Sequence, residues 1–139
     1  MNKDHFNFLL ALIIFITIVG CGICNRSESN KEKLKDPEVT VSAETLIKDY
    51  RENEVSADDK YRNKVLEVTG VVSQVKKESL SRIIVILQKP NTYLGVKCQL
   101  DKEYKEEAGE LRTGDEITVI GKCAGLKYRS PYLRNCSLE

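Results

Sequence analysis

From Val65 onward the apolar residues of this chain recur at every second position, in short runs separated by polar turns. A period of two puts alternate side chains on one face of an extended strand, so this part of the chain is predicted to form sheet. Residues 65–75 are rich in β-branched side chains, and Gly70 among them marks a bend or bulge and not a break. Residues 82–88 make a second, more apolar run. Residues 93–100 make a third, in which Val96, Cys98 and Leu100 alternate against Lys97 and Gln99. Residues 104–111 are a short helical candidate. Gly114 and Asp115 then turn into residues 116–122, where Ile117, Val119 and Gly121 share one face with Cys123, and residues 132–138 form a fifth run.

Two short helices are expected ahead of the strands. Ser42 is a good N-cap, Val41 and Leu46 fall at staple positions, and Ala43, Leu46, Ile47 and Tyr50 lie on one helical face. A second start is read at Ser56, with Asp59 three places on and the end near Tyr61. The predicted class is therefore mainly β: a five-stranded OB-fold Greek-key barrel with short N-terminal helices and a helix between strands three and four. Closure of such a barrel protects its sheet edges.

Residues 25–37 are charged and almost free of apolar side chains, so they cannot offset their own ordering entropy and read as a flexible stalk. Before them, Lys3 precedes an apolar run from Phe8 to Val19. That is the length of an export signal and short of the roughly 20 residues that span a bilayer. An uncleaved anchor helix is the alternative. Ile18-Val19-Gly20-Cys21 resembles the lipobox of bacterial lipoproteins, which implies cleavage before Cys21 and its acylation, with palmitate among the expected chains. The expected organisation is a signal peptide over 1–20, a lipid-anchored tether over 21–38 and the OB-fold domain over 39–139. The expected place is the bacterial envelope, on its periplasmic or extracellular face.

The chain has 139 residues, a net charge of +1 and one histidine, His5, which lies ahead of the apolar run. Cleavage would leave a protein without histidine. Sites built on a histidine base or ligand are thereby excluded, and no glycine-rich phosphate loop is present. No enzyme activity, cofactor or metal is expected. Cys98, Cys123 and Cys136 fall in strands, in phase with the apolar face. A hairpin turning between Arg129 and Ser130 would set Cys123 against Cys136, so a disulfide between those two is expected, ahead of Cys98 to Cys136, with buried thiols as the alternative. Lys127 to Tyr132 is the one loop where aromatics and cations interleave. OB domains bind with the loops after strands one and four, so Tyr128, Arg129 and Tyr132 are candidate ligand contacts, extended by Lys76, Lys77 and Arg82, with an ordinary solvated hairpin tip as the alternative. Tyr132 shares its alternation with Cys136 and could instead belong to the core.

Residues 53–72, Val96-Lys97-Cys98, residues 111–123 and residues 133–138 together resemble the tRNA-anti-like family of bacterial OB-fold proteins, over nearly all of the chain after the tether. The resemblance implies the OB-fold and supplies no catalytic residue. The function expected is a noncatalytic envelope lipoprotein whose OB module binds a protein or an envelope oligomer. The alternative is a binder of single-stranded nucleic acid, which the balanced charge and lack of Trp do not favour.

Overall fold

The computed structural model describes residues 36–139; the leader, Cys21, Cys24 and most of the expected tether lie outside the described residues. Everything below belongs to the compact unit from Lys33 to Glu139, which has its own core. Ser42 ends strand β1 (Val39–Ser42) and caps helix α1 (Ala43–Glu52), accepting the Thr45 N–H at 3.1 Å. The cap is the one expected. Ala43, Leu46 and Tyr50 are the buried stripe of α1. Helix α2 (Glu54–Tyr61) starts earlier than the expected Ser56 cap. Asn53 takes that role by accepting the Ser56 N–H at 3.1 Å, and Ser56 is already helical.

Strands β2 (Val65–Ser79), β3 (Arg82–Leu87) and β4 (Val96–Asp101) follow, then a 3-10 turn (Lys102–Tyr104) and helix α3 (Lys105–Glu110). Strands β5 (Glu116–Lys127) and β6 (Ser130–Leu138) complete the chain. Five of the strands close a barrel in the order β2-β3-β4-β6-β5, with β5 returning to β2, and β1 lies outside it, parallel to β2. This is the OB arrangement predicted from the strand count and helix position. Barrel closure depends on β2 changing partner: Val65–Val71 pairs with β5, and Val72 onward pairs with β3. Gly70 sits at that change. A Cβ there would come within 2.8 Å of Ala43 Cβ, so the missing side chain is what lets α1 press on the bend. Among the described residues no helix is long and apolar enough to cross a membrane.

The last hairpin differs from its predicted register. Lys127 pairs with Ser130, so the turn consists of Tyr128 and Arg129 alone, both at positive φ (54° and 63°). A further irregularity at Asn135 (φ 52°) shifts the strand again. Cys123 consequently faces Leu133, while Cys136 stands across from Leu100 on β4. The expected Cys123–Cys136 disulfide is thus corrected: its geometry required a facing register that the turn does not produce, and Cys98, Cys123 and Cys136 are all buried free thiols. Their inward placement was read correctly. Burial, with the Cys98 thiol alongside, pushes the Cys136 thiol well above its ordinary pKa and keeps it neutral.

Candidate nucleic-acid interface

In the register of β3, β4 and β6, Ile84 faces Gln99, Ile86 faces Lys97, and Lys97 faces Tyr132. Val85, Leu87, Cys98, Leu100 and Leu133 are the fully buried alternates, so the first set forms the outer face of the barrel. Tyr132 lies on that face and not with Cys136, because the irregularity at Asn135 changes the phase between them. Its hydroxyl donates to Gln99 Oε1 at 2.7 Å, and Lys127 Nζ stands 4.5 Å from its ring centre. Burial raises its phenol pKa, so it acts as a neutral donor.

Tyr128, next along, is held out by its turn and remains 82% exposed. Two ammonium groups flank its ring, Lys97 at 5.5 Å and Lys127 at 5.9 Å from the centroid. A two-residue hairpin with both central residues at positive φ, as here, favours Asn and Gly at those positions, which adopt it most easily. A Tyr and an Arg there are uncommon and strained, a feature that concentrates at functional sites.

Behind this turn opens a cleft of about 670 Å³, walled by α1, the loop between β3 and β4, and the turn itself. Lys48, Arg51, Lys89 and Arg129 line it against a single carboxylate, Glu44, which Lys89 meets at 3.1 Å. Tyr93 and Tyr128 are its aromatic groups, and Tyr93 is fully exposed. The wall formed by α1 is fixed by a polar network. Asp49 accepts from Tyr61 Oη at 2.6 Å and Lys60 Nζ at 2.8 Å, which holds its carboxyl below the usual range. Tyr50 Oη donates to Asp58 at 3.0 Å and lies 3.5 Å from Cys123 Sγ, and Arg62 meets Asp58 at 2.7 Å. These bonds tie both helices to β5.

The six residues predicted for a ligand patch fall into separate places. Tyr128 and Arg129 line the cleft behind the turn, and Tyr132 lies on the adjoining face. Lys76 and Lys77 line a different cleft, under the β2–β3 hairpin. Arg82 is 3.8 Å from Glu78, which also meets Lys127 at 3.9 Å, so Glu78 stands between the two groups. Sequence reasoning missed Lys48, Arg51, Lys89, Tyr93 and Lys97. Tyr93 was read into a strand that begins only at Val96; Pro90, Asn91 and Thr92 just before it were the available loop signal.

Comparison with known structures gives the same fold. A Klebsiella pneumoniae protein, provisionally described as a nucleic acid-binding lipoprotein, is 19% identical with a TM-score of 0.60, over 72% of this chain and 90% of that one. An aspartyl-tRNA synthetase assigned provisionally in Leishmania major is 11% identical with a TM-score of 0.52, over 79% of this chain and 22% of that one. No curated protein matches the chain. The tRNA-anti-like family model matches residues 1–137, and the chain is a member of the tRNA-anti-like family.

Proposed function

We propose that this is a noncatalytic OB module that binds single-stranded nucleic acid, carried on a lipid anchor at Cys21 at the surface of a bacterial envelope membrane. One observation carries the ligand: the exposed Tyr128 ring between Lys97 and Lys127, at the mouth of a cleft with four further cations and a second exposed tyrosine. Stacking platforms interleaved with cations are the chemistry of sequence-tolerant single-strand binding. Backbone phosphates would meet Lys48, Arg51, Lys89 and Arg129, and bases would stack on Tyr128 and Tyr93. The family and the lipoprotein described in Klebsiella support the same reading. The protein or envelope oligomer expected from the sequence has less in its favour, because so many cations around one cleft suit a polyanion.

The test is binding of an oligothymidylate to the Lys33–Glu139 unit across a salt series. Four phosphate contacts predict a log–log slope of about −3. A flat salt response, or binding untouched by Tyr128→Ala, would sink the nucleic-acid reading. For the anchor, an acyl probe fed to cells should label the full chain and fail on Cys21→Ala; equal labelling would remove it.

A further inference from the structure

The second cleft, of about 270 Å³, lies between the β2–β3 hairpin and α3, away from the residues assigned above. Its rim carries Lys76 and Lys77 from the hairpin and Lys102 and Lys105 from the segment around the 3-10 turn, with no carboxylate lining it. Glu106, Glu107 and Glu110 of α3 are not among its lining residues. The apolar lining is aliphatic: Val75, Leu80, Ile83 and Ala108 contribute, and no aromatic ring does.

Leu80 is the unusual member. It forms the β2–β3 turn with Ser81, since Ser79 pairs with Arg82, and it is 93% exposed. Turn positions ordinarily carry Gly, Asn, Asp, Ser or Pro, whose conformations or side-chain hydrogen bonds suit them. A leucine at a protruding tip gains nothing from water. Four lysines lining the same cleft as a protruding aliphatic side chain match the boundary layer of a bilayer, where cations meet lipid phosphates and the apolar group reaches the acyl chains. Without rings to stack on, the cleft is poorly suited to bases.

We propose that the β2–β3 hairpin tip docks the domain onto an anionic lipid bilayer, with Leu80 inserted below the headgroups and Lys76, Lys77, Lys102 and Lys105 on their phosphates. This surface is separate from the one assigned to nucleic acid, so either can fail alone.

The test uses the Lys33–Glu139 unit, free of any anchor, in co-sedimentation with vesicles of equal parts phosphatidylcholine and phosphatidylglycerol, against vesicles of phosphatidylcholine only. Binding should require the anionic lipid. Each lysine near such a surface contributes about five-fold, so Lys102→Gln with Lys105→Gln should lower partition about 25-fold. Leu80→Ser should lower it by about ten-fold or more through the lost apolar insertion. All three side chains are exposed, and unchanged melting confirms that the variants fold. Oligonucleotide binding is read on the same proteins and should survive Leu80→Ser. Equal binding to both vesicle types overturns the proposal, as does partition unchanged by either variant. Displacement from vesicles by inorganic phosphate at matched ionic strength would make this a simple anion site, and loss of oligonucleotide binding in place of vesicle binding would assign the cleft to nucleic acid; either result also overturns it.

Discussion

Lys48, Arg51, Lys89 and Arg129 surround two tyrosines in one cleft, whereas Lys76, Lys77, Lys102 and Lys105 surround aliphatic side chains in the other. Positive charge attracts any polyanion and is screened by salt, so it cannot by itself tell a nucleic acid from a membrane. The floors can. Rings accept stacked bases, and a protruding leucine accepts an acyl environment. The clefts also differ in how they are built. The aromatic one needs three segments remote in sequence, of which α1 is held by the Asp49 and Asp58 networks, while the aliphatic one is a hairpin against the next helical segment. Damage to the helix network should therefore reach the first and spare the second.

The sharpest separation comes from the turn. Tyr128→Ala with Arg129→Ala should weaken oligonucleotide binding by about 100-fold, given about 1 to 3 kcal/mol for a stacked ring plus one phosphate contact. Titration on the folded variant checks it; vesicle partition that fell in parallel would mean one continuous surface and dissolve the contrast. Next, Asp49→Ala strips the buried Tyr61 hydroxyl of its acceptor and should cost about 2 kcal/mol in chemical denaturation. With α1 loosened, oligonucleotide affinity should drop while vesicle binding holds.

A smaller effect has the opposite sign. Replacing Tyr128 with Asn and Arg129 with Gly removes two positive-φ penalties and should raise stability by about 1 kcal/mol while binding is lost. No gain in melting temperature would show that the turn is not strained. The slightest effect concerns pH. The Asp49 carboxyl is depressed in the fold, so its contribution is complete above the ordinary carboxyl pKa and disappears as pH falls through the lower folded value. Melting temperature should decline below about pH 4, and Asp49→Asn should lack that component of the decline.

Local signals carried most of the fold. The period of two after Val65, the glycine at position 70 and the Ser42 cap each act within a few residues, and each appears as read. Strand β1 escaped notice because four residues are too few for a period, and its partner is Leu66 to Thr69, far along the chain. The hairpin register escaped for a different reason. Bulky Tyr128 and Arg129 carry no turn signal, so nothing local announced their positive φ, and an offset of this kind repositions every later pair. That offset removed the facing register the expected disulfide needed, and the irregularity at Asn135 put Tyr132 on the outer face. Of the candidate site, the cations and rings near the turn were legible in the sequence. The walls were not, because α1 and the loop carrying Tyr93 reach the turn only through the barrel's closure.

At Gly121 an added Cβ would come within 2.5 Å of Cys136 Sγ and 3.3 Å of Leu133 Cβ. The two positions therefore share one volume, and 121 cannot enlarge while the Cys136 side chain keeps its place. In a diverging lineage, enlargement at 121 has to be preceded by shrinkage at 136, since the reverse order passes through an overpacked intermediate. Relatives with alanine or serine at 121 should accordingly carry glycine or alanine at 136. A buried free cysteine can thus be an inheritance of shape, retained for the space it fills beside a glycine and not for its sulfur chemistry.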